Sequence, residues 1–464
     1  MIAEKDSLRD VDANLGARFG LGMRDITPPL GIYARNWGAA KFDQATGIHQ
    51  DLLMHCLYTE SVEGQIAVVL TADLGWWKNA EDEKRIRQAL LAHFNLEEPD
   101  LILALSHTHA GPSICSTDED QPGGTFIAPY LEFLKEQAIA CIAEARSTVF
   151  EGRLTWGYGV CDLACNRDLQ IGDDYLIGFN PKGKPDPTLL VGQLRDTSNK
   201  LKGIICNYAC HPTSFAHENE WLSPDFVGEL RITVEQALHV PCLFLQGASG
   251  DLAPKKQYVK DPKLVEANGR QLGYAVLATL AQMGNGEQHW VYDKALISGA
   301  PLACWKLVYA QANIKFEKIV VRVQVPYKKL DSAASILEEY QQCTDRVLKD
   351  RLWRKYNTRK TIGDQRTAEI PVWIWKMGNA VLVAQANEAY SAYQMEIRNA
   401  FPNHCIAFVN IANGYVGYLA PKELYGKDIY AVWQSPYDEG SLEILIEETQ
   451  KAIIKLLTDE TRMD

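Results

Sequence analysis

Short apolar runs alternate with amphipathic stretches through the first half of the chain. Runs at 66–73, 101–107, 154–161, 203–209 and 241–246 are dense in Leu, Ile, Val and Phe, and they predict buried strands. Helical periodicity lies between some of them. The stretch 79–95 opens on a capping-type Asn79 with an acidic first turn and stacks Ile86, Leu90 and Phe94 on one face. A second helix is predicted over 129–149, and a third over 223–239, where Ser223-Pro224-Asp225 supplies a cap and an N1 proline. Strands alternating with helices predict an α/β fold, a layered α/β/α domain around a mixed sheet with added β-strands.

From about residue 285 longer strand patterns take over, at 318–325 and 370–385, separated by a helix predicted over 330–352. The stretch 299–366 carries no chemical motif and reads as an insertion or lobe. The chain closes on an amphipathic helix with Leu442, Leu445, Ile446, Ile453 and Leu456 in its apolar stripe. Without repeats, low-complexity tracts or flexible linkers, the pattern predicts a 1–15 tail and one continuous domain over 16–464.

Composition narrows the classes. With 464 residues, 47% of them hydrophobic, the chain can bury a large core and is expected to be soluble and globular. A net charge of −12 and a pI near 5.4 argue against a nucleic-acid or anionic-membrane surface. The densest basic group, Lys349, Arg351, Arg354, Lys355, Arg359 and Lys360, reads as a solvated helix face. No apolar core of an export signal occurs in residues 1–10 and no membrane-length apolar window follows, which predicts a cytoplasmic protein. Eleven cysteines fit reduced thiols there. Cys161-x3-Cys165 and Cys206-x3-Cys210 lack zinc-knuckle spacing and are expected to be buried structural thiols.

The chemistry gathers at strand ends. Leu101–Pro112 delivers His107 and His109 into a Gly-Pro turn, and residues two apart on a strand share a face, so both imidazoles can approach one point. His211-Pro212 ends another strand and offers a third ligand, the alternative being a turn histidine bonded to backbone. Glu388 follows an apolar strand before a helix; either it adds an anionic oxygen suited to zinc, or it favours the helix N-terminus. Tyr415 and Tyr418 stand three apart in a glycine-containing loop, where either phenol can ligate or bind substrate. The turn Gly247-Ala-Ser-Gly250-Asp251 suggests free N–H groups for an oxyanion and, in Asp251, either a partner orienting a histidine or a plain turn residue. It lacks the ending of a phosphate loop.

In this order, Gly20-Leu-Gly-Met-Arg-Asp25-Ile-Thr-Pro-Pro29, Gly47-Ile-His49, Ser106-His-Thr-His-Ala-Gly-Pro112, Asn166-Arg167, His211-Pro-Thr, Gly250-Asp251-x-x-Pro254 and Gly414-Tyr-x-x-Tyr418 resemble the catalytic domain of the neutral/alkaline, non-lysosomal ceramidase family, over about residues 16–440. The resemblance implies zinc ligands at His107, His211, Glu388 and Tyr418, His109 as proton shuttle, and Arg167 on the substrate carbonyl or a neighbouring polar group. It implies a further active-site tyrosine at Tyr430, with Tyr437 as rival. The family's serine in Gly-Asp-x-Ser-Pro is Ala253 here, so the substrate-binding positions expected are Gly250, Ala253, Tyr415 and Tyr437. The chain is also expected to lack the family's C-terminal β-sandwich.

The function expected is zinc-dependent hydrolysis of a small cytosolic amide of the N-acyl amine type, by metal-activated water. A cyclase or acyl-transfer enzyme on the same site, or a non-catalytic ligand-binding descendant, are the alternatives. A two-metal phosphatase or nuclease would need the carboxylates of Asp73, Asp225 and Asp251 to join the site. The sequence leaves the oligomeric state open.

Overall fold

The computed structural model describes residues 13–458, and residues 1–12 of the expected tail lie outside them. The domain begins earlier than expected, because Asn14 and Leu15 already belong to the first strand.

Eight strands form the larger sheet: β1 (Asn14–Asp25), β2 (Leu53–Glu60), β3 (Ile66–Ala72), β4 (Leu101–Leu105), β5 (Phe150–Val160), β6 (Thr188–Asp196), β7 (Leu201–Tyr208) and β8 (Cys242–Gln246). Their order is β8-β7-β6-β5-β1-β2-β3-β4. The two outermost pairs, β8 with β7 and β3 with β4, are parallel, and the interior is antiparallel. A second sheet, ordered β9-β10-β11-β12, is built from β9 (Phe316–Pro326), β10 (Thr367–Met377), β11 (Ala380–Gln385) and β12 (Cys405–Val409).

The added strands therefore make a sheet that packs face to face on the first. Alternate residues of β4 show how. Leu101, Leu103 and Leu105 face helices α1 (Ala80–Phe94) and α2 (Ile127–Ser147), while Ile102 and Ala104 join Trp373, Trp375, Leu382 and Val409 between the sheets. With both faces covered, a continuous apolar run is what such a strand requires. Helices α3 (Phe226–Leu238) and α4 (Pro262–Met283) cover β6–β8 on the α1–α2 side. The second sheet's outer face is covered by α7 (Ala392–Ala400) and α8 (Ser441–Thr458), the latter through the expected stripe. The mixed α/β fold is as expected, with layers running α/β/β/α.

Close approach of α2 to β1 depends on glycine. A Cβ on Gly20 would lie 1.9 Å from the Ala145 carbonyl oxygen, and one on Gly22 would lie 2.2 Å from that of Cys141.

Several boundaries differ from expectation. The 330–352 helix is two, α5 (Ala333–Gln342) and α6 (Arg346–Ile362), because Cys343 turns extended and Asp345 caps the second through Leu348 N–H at 2.7 Å. The 370–385 strand is a hairpin that turns at Gly378, φ +63°. Helix α3 is capped by Asp225, two residues later than expected, which leaves Pro224 outside it. The 299–366 stretch is no separate lobe: it supplies one arm of the Gln288–Ser298/Ala300–Tyr309 hairpin, the edge strand β9, and helices α5 and α6. Among the described residues no helix is long and apolar enough to cross a membrane.

Two asparagines bind the sheets together on the side where the histidines lie. Asn207 donates to the Phe408 carbonyl at 2.7 Å and accepts from its N–H at 3.0 Å. Asn413 likewise accepts from Leu103 N–H and donates to the Leu101 carbonyl, each at 2.8 Å. These bonds tie β7 to β12, and β4 to the segment that follows β12.

Candidate metal centre

His107 and His109 do not meet by strand alternation. Strand β4 ends at Leu105, and His107 adopts φ +70°, a left-handed conformation that costs a non-glycine residue about 1 kcal/mol and turns its ring inward. The two rings lie 5.0 Å apart between centroids. His211 arrives from the end of β7 and stands 4.7 Å from the His107 ring. Glu388 lies past β11, in the two-residue strand Glu388–Ala389, which pairs in parallel with Tyr418–Leu419 and so sets Tyr418 beside it.

Each ligand nitrogen is aimed by backbone. His107 donates from Nδ1 to the Gly75 carbonyl at 3.1 Å, and His211 donates from Nδ1 to the carbonyls of Ser249 at 2.7 Å and Leu252 at 3.1 Å. Carbonyls only accept, so both Nδ1 atoms carry hydrogen and both Nε2 atoms present lone pairs. Those Nε2 atoms are 3.2 Å apart, and Glu388 Oε2 lies 3.2 Å from the first and 2.8 Å from the second. Three acceptors converge in a buried space. One added proton can satisfy two of them, whereas a shared cation satisfies all three. A tetrahedral zinc ion with bonds of about 2.0–2.1 Å places its ligands about 3.3 Å apart, close to the spacing observed. The residues therefore fit a divalent ion.

Electrostatics agree. Burial, with Arg167 close by, pulls His211 down to about 3 against the influence of Glu388, so the ring is neutral and its nitrogen free to ligate. Burial opposes ionisation of Glu388; positive charge on its two imidazole neighbours, the place a bound cation would take, is what holds the carboxyl well below its ordinary range. His109 is pushed well below its ordinary value by burial first, then by His107 and His211. Among the described residues neither of its ring nitrogens has a hydrogen-bond partner, and the ring lies between Trp76 at 4.9 Å and Trp37 at 5.2 Å. His107, His109 and His211 place ligand atoms within 4.8 Å of one another.

The remaining expected residues divide. Arg167, buried, donates to the Gly250 carbonyl at 3.1 and 2.8 Å and to the Tyr418 phenol at 3.1 Å, fixing that phenol. Tyr415 donates to Glu388 Oε1 at 2.8 Å, and Tyr430 packs on Tyr418 at 5.8 Å. Tyr437 does not reach the cluster: it stacks on Tyr327 and bonds to Asn387. Ala253 is fully buried, and its carbonyl accepts from the Cys165 thiol. The Gly250 N–H is not free for an oxyanion, because it donates to the Ala389 carbonyl at 2.9 Å. Asp251 orients no histidine; it accepts from the N–H and hydroxyl of Ser391 at 2.7 and 2.9 Å and so fixes the turn after Glu388.

Asp73 is engaged by Arg231, and Asp225 caps α3 and accepts from Phe215 N–H, so neither carboxylate joins the centre as a two-metal site would need. His49 bonds to Ser223, away from the cluster. All eleven cysteines are free thiols, nine of them buried, as expected.

Sequence reading missed Trp76, Trp37, Tyr258 and Arg354, all of which line the space around His109 or its neighbours. Gly75-Trp76-Trp77 directly after β3 was the available signal, a strand end as polar and aromatic as the others. Arg354 was assigned to a solvated face, but its guanidinium sits 5.7 Å over the Trp76 ring and donates to the Asn36 carbonyl.

No family model matches the chain. Over 262 residues, 52% of the chain, it is 26% identical to the neutral ceramidase of Pseudomonas aeruginosa, a stretch that spans 37% of that protein. Over 231 residues, 47% of the chain, it is 25% identical to the neutral ceramidase of Drosophila pseudoobscura pseudoobscura, spanning 32% of it. Its structure superposes on the crystal structure of the Pseudomonas aeruginosa neutral ceramidase with a TM-score of 0.67 at 17% identity, covering 94% of this chain and 73% of that one. A ceramidase complexed with C2 gives 0.68 at 16% identity, covering 94% and 74%. Eight mixed strands, their helices and these superpositions together give this chain a neutral ceramidase-like fold.

Proposed function

We propose that this protein is a metal-dependent hydrolase that cleaves the amide bond of a small N-acyl amine, with zinc as its ion. The observation that carries the reading is the convergence of His107 Nε2, His211 Nε2 and Glu388 Oε2 within 3.2 Å of one another in a buried pocket. Similarity to neutral ceramidases supports an amide as the bond. Tyr418, held by Arg167, is the fourth donor. A divalent ion bound there supplies Lewis acidity, lowering the pKa of water and polarising a carbonyl.

The chain's own residues do the rest. His109, neutral and without a protein partner on either nitrogen, accepts a proton and returns it to the departing amine. The Tyr430 phenol, on the wall shared by Tyr418 and Arg354, donates to the carbonyl oxygen as charge develops there. Arg167 positions Tyr418 through Nη2, while its Nε and Nη2 are anchored on the Gly250 carbonyl. No serine nucleophile is needed, which accommodates Ala253. Eleven unpaired thiols suit a reducing compartment and support a cytoplasmic setting.

The test is elemental analysis of the purified protein together with turnover of N-acyl amines of graded chain length. We expect about one zinc per chain, with activity lost to a strong chelator and restored by zinc. His211→Ala should lose both metal and turnover. Undiminished cleavage by metal-free protein would refute the mechanism.

A further inference from the structure

We infer that the chamber between α6 and the Trp76–Tyr415 wall binds an anionic group of the substrate, so that the amide cleaved here carries a carboxylate. The inference rests on the hydrolase reading for the reaction, but the chamber's charge stands apart from it.

The chamber has a volume of about 280 Å³ and shares Arg354 and Asp350 with the pocket that His109 lines. Its shared wall is narrow. Tyr415 bonds to Glu388 on one side, while the Trp76 ring lies 5.5 Å from His107 and 4.9 Å from His109 and carries the Arg354 guanidinium at 5.7 Å. A molecule with its amide at His109 would reach the chamber past Arg354, which lines both spaces.

In a chain of net charge −12 this chamber is cationic, with five basic side chains against Asp118 and Asp350. Three of the five are paired: Lys78 with Asp118 at 3.4 Å, Arg354 with Asp350 at 2.9 Å, and Arg346 with Asp43 outside the chamber at 2.5 Å. Arg35 and Lys349 are not. Arg35 is only 9% exposed, and its one hydrogen bond in the protein is from Nη2 to the Gly38 carbonyl at 2.7 Å. Its Nε is buried without a partner, and among the described residues no carboxylate lies within ion-pair distance. Lys349 stands across the chamber on α6, its ammonium 5.0 Å over the Tyr340 ring. A buried guanidinium left unpaired is costly, and a visiting anion removes that cost. The fork of Arg35 suits a carboxylate, which accepts two N–H groups at once.

The carboxylate can belong to either half of the substrate, and paired probes tell which. N-decanoylglycine places it on the amine side and N-decylsuccinamic acid on the acyl side; the methyl ester of each is the neutral control. With the full-length zinc protein, we expect one acid to exceed its ester in kcat/KM by about tenfold or more. That ratio should shrink toward one in Lys349→Glu and in Arg35→Met, and also in high salt. Because Lys349 is half-exposed, its replacement tests the charge without threatening the fold. Calorimetric titration of the same four compounds into chelator-treated protein reads binding without turnover. Acids that bind better than esters in a Lys349-dependent way, with no amide cleaved, would support the chamber and sink the hydrolase. Esters cleaved and bound as well as acids would overturn the chamber and leave the hydrolase standing. Absence of both binding and cleavage with all four would overturn the two together.

Discussion

Tyr415 donates its phenol hydrogen to Oε1 of Glu388 at 2.8 Å, while Oε2 of the same carboxylate faces His107 and His211. One oxygen is thereby fixed so that the other points at the two imidazoles, and the bond also raises the phenol's own pKa beyond what burial does, keeping it a donor. Such outer partners commonly account for 10- to 100-fold in metal affinity. Tyr415→Phe keeps the ring between Trp76 and the chamber and removes only the hydroxyl. We expect zinc affinity to fall by about 10- to 100-fold, measured by competition with a chromophoric chelator, with an unchanged circular dichroism spectrum. Unchanged affinity would show that the phenol serves the chamber instead of the carboxylate.

Backbone contact also holds Glu388. Gly250 passes so close that a Cβ there would lie 2.7 Å from the Glu388 carbonyl oxygen, 2.8 Å from Cδ1 of the buried Tyr390 ring and 3.0 Å from the Ala389 carbonyl carbon. Gly250→Ala should therefore displace the Glu388–Ala389 strand, costing about 1–3 kcal/mol of stability and weakening metal binding with it. Chemical denaturation and zinc titration of the same variant check both effects. A stable variant with weak zinc binding would place the strain at the centre alone; a variant normal in both would contradict the packing.

How much of this was legible in the chain depended on whether neighbours in sequence or in space decide a residue's place. Helix α1 was readable because Asn79 accepts from Glu81 N–H at its start and Asn95 ends it in the left-handed conformation, both local effects. Strand β4 was readable because its two covered faces demand an unbroken apolar run. His107, His211, Glu388 and Tyr418 stood out as polar residues at the ends of such runs or loops, and the structure brings all four together. The reason His107 meets His109 was not readable, since it lies in a single left-handed residue where strand geometry was assumed. Nor was the fate of the Gly250 N–H, which Ala389, 139 residues away in sequence, takes up. Arg354 shows the same limit from the other side. Its charged neighbours on α6 made the helix look solvated, yet the helix lies across the site and only tertiary packing turns Arg354 inward. Likewise, nothing local separates a strand added to the first sheet from one in a second sheet packed upon it.

Asp168 gives a pH test that avoids the metal ligands. It follows Arg167, accepts the Tyr390 phenol at 2.9 Å, and its carboxyl is raised from 3.8 to about 6 by burial first and by Asp251 next, against the pull of Arg167. The folded protein therefore holds this proton more tightly than the unfolded chain does. Its contribution to stability is fully present below pH 3.8 and is lost as pH rises through about 6. Asp168→Asn cannot ionise, and its side-chain carbonyl can still accept from Tyr390. The variant should gain about 1–2 kcal/mol over the parent at pH 7.5, less than the full shift implies because the site is partly solvated. At pH 4.5, still above 3.8, the gain should fall to about a third of that. Urea unfolding of both proteins at the two pH values, after chelator treatment so that metal release does not contribute, measures the difference. An equal gain at both pH values would mean that the substitution acts through packing, and a loss at pH 7.5 would mean that the ionised carboxylate is held by partners stronger than Tyr390 and Arg167.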